Sequence, residues 1–204
     1  MHFPWPLRYV ARVESALGAS RRRRSGARGF TLPEAMNFVA LAAVLSALAM
    51  YGLARYVRHA KTAEAIGSVS AIAAAAAAYY DNSDGAQPVG TTPEAARAMR
   101  HFPPPSNGTV PPLDMVRGKR YQSSLGDWSA PPWSDMRFSI PQPQYFAYSF
   151  DSQGSGVGAK AAATAQGDLD GNGIFSKYRL GVSVDPSTFK AKVDKEIEKT
   201  DPEE

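Results

Sequence analysis

The sequence predicts an α+β protein in which a long N-terminal helix packs on a small antiparallel sheet. Three observations predict this fold. Residues 35–54 form an apolar run without a charge, residues 53–80 contain no proline, and the chain after residue 143 alternates strand-like runs with Gly/Asp-rich turns. A length of 204 residues suits one domain with an appendage and is enough to bury a core. Because short strands cannot bury a face alone, the helix is their expected partner.

The positive charge of the chain is concentrated in its first residues. The whole sequence has 23 Lys+Arg and 19 Asp+Glu, for a net charge of +4. Residues 1–29 hold seven arginines and one acid, Glu14, for a net +6, which leaves 16 basic and 18 acidic groups, a net −2, for residues 30–204. The overall charge therefore does not predict a nucleic-acid partner. The absence of cysteine excludes disulfides, thiol catalysis and cysteine-ligated metal sites.

The apolar run is long enough to cross a bilayer. About 20 helical residues, each rising about 1.5 Å, span the ~30 Å hydrocarbon core. Five arginines precede the run closely and three basic residues follow it, so the N-terminal side is expected to stay in the cytoplasm. The alternative is a buried helix of a soluble protein. We expect residues 30–54 to be the membrane-spanning half of the helix, in a single-pass protein of the cytoplasmic membrane with its C-terminal part outside.

The same helix is expected to continue as an amphipathic half over residues 55–80. One apolar stripe at helical spacing is formed by Ile66, Val69, Ala73, Ala76 and Tyr80. The polar residues Lys61, Glu64, Ser68 and Ser70 fall off this stripe. The predicted helix is about 45–50 residues long, and turn-forming residues 81–85 end it.

Residues 81–184 are predicted to form a head made of a proline-rich loop and the sheet. Nine of the 16 prolines fall between Pro103 and Pro143, a density that excludes long regular elements, and a short helix is expected near residues 93–101. Strands are predicted over residues 136–140, 144–151, 160–167 and 174–184. The charged tail, residues 185–204, is predicted to be a short terminal helix or disordered.

The most informative stretch joins the basic leader to the apolar run and reads Gly29-Phe30-Thr31-Leu32-Pro33-Glu34. It resembles the N-terminal motif of the type IV pilin and pseudopilin family, in which a prepilin peptidase cuts after the glycine and N-methylates the new terminal residue. The resemblance implies cleavage between Gly29 and Phe30, a methylated Phe30 as the mature terminus, and Glu34 as the family's glutamate at the fifth mature position. The order of helix, loop and sheet also agrees with a pilin head.

Physical chemistry gives Glu34 a separate reason to lie there. A carboxylate at the edge of an apolar span is costly and is usually retained because it has a partner. Cleavage after Gly29 would create one, the α-amine of Phe30, within the chain or from a neighbouring subunit; in the family this pairing is thought to set axial register. The alternative is an ordinary acid favoured by the helix dipole in the first turn. Leu32 precedes Pro33 and is biased away from helical angles, so the first residues are expected to be extended.

The resemblance implies a structural role and not an enzyme. The chain would be a major or minor subunit of a type IV pilus-like filament, a homo- or hetero-polymer with other pilins held together through the N-terminal helix. Its implied partners are the prepilin peptidase, the inner-membrane assembly machinery and membrane lipid before assembly, and its final location is a pilus or a periplasmic pseudopilus. The alternatives are a type II secretion pseudopilin and a single-pass membrane-anchored ligand-binding protein. Motility, adhesion, DNA uptake and secretion all stay open.

One turn has the spacing of half a calcium loop. Asp168, Asp170 and Asn172 occupy positions 1, 3 and 5, and Gly173 occupies position 6. Arg179 stands at position 12 in place of the bidentate glutamate, which excludes a complete EF-hand. We favour a hairpin turn whose side chains cap their own backbone over a partial calcium site. No other cofactor is predicted, since the three histidines lack metal-ligand spacing.

The basic residues near the middle of the chain are predicted to form a solvated face. They lie without a stacking platform of aromatic side chains, so binding of nucleic acid is not expected. The sequence contains no phosphate loop, nucleophile elbow or paired-carboxylate arrangement, and it offers no candidate for catalysis.

Overall fold

A computed structural model of the chain describes residues 29–83 and 90–202, and it is an α+β structure. The helices are α1 (Leu32–Asn82), α2 (Pro93–Met99) and α3 (Trp133–Met136). The strands are β1 (Tyr121–Gln122), β2 (Pro143–Gln144), β3 (Ala147–Gln153), β4 (Lys160–Gly167), β5 (Ser176–Val184), β6 (Ala191–Val193) and β7 (Glu198–Thr200). The predicted long N-terminal helix and antiparallel sheet are confirmed. Of the predicted leader, only Gly29 lies within the described residues.

Helix α1 is 51 residues long, close to the predicted length. It begins at Leu32 although Pro33 follows, because proline is tolerated in a first turn whose N–H groups have no helical acceptor. The expectation of an extended Leu32 is therefore wrong. The many alanines favour an uninterrupted helix. The chain divides into two compact units, Met1–Ser46 and Ala47–Glu204, and α1 contributes to both.

The first part of α1 exposes its apolar side chains on every side. Phe38, Val39 and Leu45 are among many whose exposed fraction exceeds half. Among the described residues, α1 is the helix long and apolar enough to cross a membrane, and its most apolar window is not buried within the protein. Length and composition thus agree with the predicted span.

The main sheet lies in the second unit and is antiparallel throughout. Its strand order is β3-β4-β5-β6, and β7 pairs with β5 beside β6. Residues 182–184 of β5 pair with β6, and residues 177–179 of the same strand pair with β7. Strands β1 and β2 form a separate two-stranded sheet. We call residues 90–202 the head.

The core forms between α1 and the inner face of the main sheet. The predicted stripe is confirmed for Val69, Ala73, Ala76 and Tyr80, which are buried, while Ile66 is partly buried against the same core. The sheet contributes the inward side chains of its three long strands, Tyr148, Phe150, Ala161, Ala163, Ala165, Tyr178, Leu180 and Val182. Small alanines in both layers let helix and sheet approach closely.

Two predictions about the head are wrong. Residues 136–140 form no strand: α3 ends at Met136, Arg137 takes a left-handed conformation with φ 51°, and the Phe138 ring packs against Trp128 and Trp133. The tail is neither helical nor disordered over its described part, because β6 and β7 join the sheet. Ala191, Val193 and Ile197 pack against the core, which holds this charged segment in place. The short helix expected near residues 93–101 is confirmed as α2.

The head meets α1 at two levels, which define its ends. At the end nearer the apolar half, here called the proximal end, the Glu64 carboxylate accepts a 2.8 Å hydrogen bond from the Tyr145 N–H. At the distal end, the Tyr80 hydroxyl donates to the Gly156 carbonyl at 2.8 Å, and the Asp81 carboxylate accepts from the Ala191 N–H at 2.9 Å. Glu64 lies off the buried stripe, as predicted, and it is partly buried at this contact.

Candidate processing and assembly site

The Gly29–Phe30 peptide bond lies outside regular structure, directly before α1. Both residues are exposed, and Phe30 keeps 75% of its surface open to solvent. Its ring meets Phe38 edge to face, with the centroids 5.3 Å apart. Exposed backbone without helical hydrogen bonds is the kind of segment that proteases cut. The Gly29–Phe30 bond is therefore accessible within the described part of the chain.

Gly29 is not required by the packing of the described chain. A β-carbon added at this position would meet no atom within 4 Å, and its backbone needs no left-handed conformation. Any requirement for glycine here must come from a molecule that binds the junction.

Glu34 closes the N-terminus of α1 together with Thr31. The Thr31 N–H and the Thr31 hydroxyl both donate to Glu34 Oε2, each at 2.8 Å. The Thr31 carbonyl accepts the first helical hydrogen bond from Ala35. This is the carboxylate half of a capping box, in which a residue three positions into the helix binds the N–H of the cap. The sequence analysis missed the role of Thr31, although the spacing Thr-x-x-Glu signals it.

The surface around this site is apolar. Exposed side chains of Phe30, Leu32, Met36 and Val39 line one open face at the start of α1. The Glu34 carboxylate thus lies at the end of a surface that water solvates poorly. In such surroundings a charge pair is stronger than it is in water.

The second predicted site, the turn after β4, belongs to the other unit. The Asp168 carboxylate is fully buried and accepts from the N–H groups of Gly171 and Gly173 at 2.6 and 2.9 Å. Asp170 accepts from the Asn172 N–H, and Asn172 accepts from the Ile174 N–H. These side chains cap their own backbone, which is the arrangement expected of a hairpin turn.

A cation from the protein also approaches the turn. Arg117 Nε lies 3.7 Å from Asp168 Oδ2, and the Gly118 N–H donates to the Asp168 carbonyl at 2.7 Å. The described part of the chain contains no group of three or more His, Asp or Glu residues placed to hold a metal.

Glu64 is the polar residue of α1 that forms the proximal contact with the head. Burial raises the pKa of its carboxyl group, against the opposing effects of the Tyr145 N–H and of the Arg120 and Lys61 charges. The Tyr148 hydroxyl, buried beside Ser68 and Glu64, also has a raised pKa because of burial. No local pattern could reveal this site, because Tyr145 lies 81 residues from Glu64.

Comparisons with known protein families, with characterised proteins and with solved structures give no significant match. The features of the described chain that bear on function are the exposed Gly29–Phe30 bond and the exposed apolar side chains of α1.

Proposed function

We propose that this chain is the precursor of a type IV pilin-like filament subunit. One observation carries the proposal: an exposed Gly29–Phe30 bond lies just before a capped helix whose apolar side chains stay exposed over residues 32–53. A peptidase at the membrane surface would find the bond open, and the helix behind it would hold the chain in the bilayer.

Cleavage would change the charge at the start of α1. Hydrolysis of the Gly29–Phe30 bond leaves a carboxylate on Gly29 and an α-amine on Phe30, and the amine is protonated at neutral pH. Glu34 then has a cation of opposite charge within its own chain or on a neighbouring subunit. A carboxylate paired in this way is retained in apolar surroundings at a smaller cost than an unpaired one.

Assembly would bring the apolar halves of several α1 helices together. Lipid is as apolar as these side chains, so close packing drives helix association in a membrane, and small residues favour it. The run over residues 35–54 is rich in alanine, which suits close approach of neighbouring helices. A polymer of this chain alone and a polymer with related subunits would both use the same surface of α1.

The first test is the mature N-terminus. Mass spectrometry of the protein, co-expressed with a prepilin peptidase, should show a chain that begins at N-methylated Phe30. Gly29→Leu should remain uncut although it folds, since nothing packs against Gly29, and Gly52→Leu is the matched control because Gly52 is equally open within α1. An intact leader in the unsubstituted protein would reject the proposal in favour of a membrane-anchored protein of another class.

The second test separates the two roles of Glu34. Glu34→Gln keeps an oxygen that can accept from the Thr31 N–H, but it removes the charge. If Glu34 pairs with the amine of Phe30, Glu34→Gln should abolish filament assembly as completely as Glu34→Ala, with membrane insertion unchanged. Thr31→Val, which removes a hydroxyl donor to Glu34, serves as the control for the cap and should assemble normally. Normal filament yield from Glu34→Gln would leave only the capping role.

A further inference from the structure

The proximal end of the head gathers basic side chains. Two of them lie over the Tyr145 ring, with Lys61 Nζ 4.3 Å and Arg120 Cζ 5.1 Å from its centroid. Arg120 also donates to the Pro143 carbonyl at 3.1 Å. These contacts fix two cations beside the place where Glu64 joins helix and head.

The loop before β1 adds two more cations at the same end. Arg117 keeps about half of its side chain exposed, at 53%, although it lies near Asp168, and Lys119 is exposed. The hydrogen bond from Gly118 to Asp168 ties this loop to the turn after β4. Gly118 has φ 62°, and a β-carbon on it would lie 3.2 Å from the Gly171 Cα, so the loop is held closely. The cations therefore stand on an anchored loop.

Two of the acids near these cations are withdrawn from solvent, and the exposed acids Asp114, Asp170 and Asp201 at this end are fewer than the cations. Asp168 is fully buried and Glu64 is partly buried, whereas Lys119 and Arg120 are exposed. Asp170 is an exposed acid in the adjoining turn. The accessible charge of Lys61, Arg117, Lys119 and Arg120 is thus positive in excess, and we call these four residues the proximal basic surface.

This surface is close to the predicted end of the membrane span. Lys61 follows residue 54 by seven positions, which is about 10 Å along a helix. The headgroup layer adds roughly 5–8 Å to each side of the hydrocarbon core. Long basic side chains reach several ångströms further, and charges interact over a Debye length of about 8 Å at physiological ionic strength. The four cations therefore lie within reach of lipid headgroups.

We infer that the proximal basic surface binds the anionic headgroups of phospholipids in the outer leaflet while the subunit waits in the membrane. This inference rests on the membrane-anchored precursor of the proposed function, but it does not require cleavage at Gly29. Binding would hold the head down on the bilayer, and removal of the subunit into a filament would break these contacts.

The test uses the full chain in nanodiscs that contain either a zwitterionic phosphatidylcholine alone or a mixture with phosphatidylglycerol. Amide hydrogen exchange over residues 117–122 should be slower in the anionic discs, and the difference should vanish at about 1 M NaCl, where the Debye length is about 3 Å. The double variant Lys119→Gln/Arg120→Gln should lose the effect, with roughly a fivefold loss of binding for each charge removed.

The matched control replaces two cations by glutamine at the distal end of the head. Lys160→Gln/Lys192→Gln removes two exposed cations of the main sheet near that end and should keep the full effect of phosphatidylglycerol. The near-ultraviolet circular dichroism of the tryptophans checks that both variants fold. Equal exchange of the unsubstituted chain in the two lipids would overturn the inference, as would an equal loss in the distal control.

Two further experiments separate lipid binding from binding of free anions and from the proposed function. Glycerol phosphate added to the zwitterionic discs should not slow exchange; slowing there would identify a site for free anions and overturn the assignment to lipid. Treatment of the same discs with prepilin peptidase tests the proposed function separately. If the chain is not cut but still responds to phosphatidylglycerol, lipid binding is supported and the proposed filament subunit is rejected. If the chain is cut but does not respond, the filament subunit is supported and lipid binding is rejected.

Discussion

The two halves of α1 share one backbone geometry and a similar alanine content, yet they are solvated in opposite ways. Val39 in the first half is 70% exposed, whereas Val69 in the second half is fully buried. The first half is apolar on all sides, and the second half is apolar along one stripe. The arrangement of apolar residues around the helix, rather than their number, decides whether the sheet of the same chain can cover them.

The difference also shows what each half needs. The second half has its partner in the head, where alanines of helix and sheet share one core. The first half presents an apolar surface that stays exposed in the described chain, and such surfaces mark contacts with a membrane or with other proteins. Lipid and neighbouring helices, as proposed above, would supply these contacts in turn.

The largest expected effect comes from placing one charge at matched positions in the two halves. Val69→Asp buries an unpaired carboxylate in the core and should destabilise the head by more than about 4 kcal/mol, enough to unfold many domains. Val39→Asp should leave the head folded, and it should reduce membrane insertion by about 2.5–3.5 kcal/mol if it lies near the centre of the span. Thermal unfolding in detergent measures the first, and alkaline extraction of membranes measures the second.

This pair of variants tests whether the two halves of α1 have different partners. Unfolding of the head by Val39→Asp would mean that the first half is part of the same cooperative core. If Val39→Asp inserts into membranes as well as the unsubstituted chain, residue 39 does not lie in the hydrocarbon core, and the predicted span over residues 35–54 is wrong.

The same contrast explains what the sequence could predict. Helix α1 and its buried stripe follow a local period of 3.6 residues, and β4 over residues 160–167 ends at a Gly/Asp-rich turn, so both were predictable. The cap formed by Thr31 and Glu34 has a three-residue spacing that the sequence also shows.

Other features depend on distant partners and left no local signal. Strands β6 and β7 have three residues each, with charged side chains that suggest solvent, and they are ordered by pairing with β5. Residues 136–140 carry an apolar alternation typical of a strand, but the stacking of Trp133 on Phe138 and the turn at Arg137 favour a loop. The partly buried state of Glu64 depends on Tyr145, which no helical pattern identifies.

A smaller effect is expected from overfilling the core. Ala73 is fully buried, and Ala73→Leu should lower the free energy of unfolding of the head by about 1–3 kcal/mol because the close approach of helix and sheet leaves no room. Ala71→Leu, two positions earlier on the exposed side of α1, should change it by less than about 0.5 kcal/mol. Denaturant unfolding followed by tryptophan fluorescence compares them. Equal effects at the two positions would show that the stripe does not define the contact.

The smallest expected effect concerns Glu64, a charged residue in the second half of α1 that contacts the head. Burial raises the pKa of its carboxyl group above the ordinary value of 4.5, so the folded chain binds a proton more readily than the unfolded chain. The stabilising contribution of this group is therefore complete below the unfolded pKa, and it is lost as the pH rises through the folded pKa. Glu64→Gln keeps an acceptor for the Tyr145 N–H and should be more stable than the unsubstituted protein at neutral pH, by less than about 1 kcal/mol, and similar to it near pH 4.

Asp127 and Asp185 have lowered pKa values and act in the opposite direction, so the measured quantity is the difference between variant and parent at each pH. Glu196→Gln, at an exposed position, supplies the control and should give a flat difference. A flat difference for Glu64→Gln as well would mean that Lys61 and Arg120 compensate fully for the burial of the carboxylate, and that the contact between helix and head tolerates the charge at no cost.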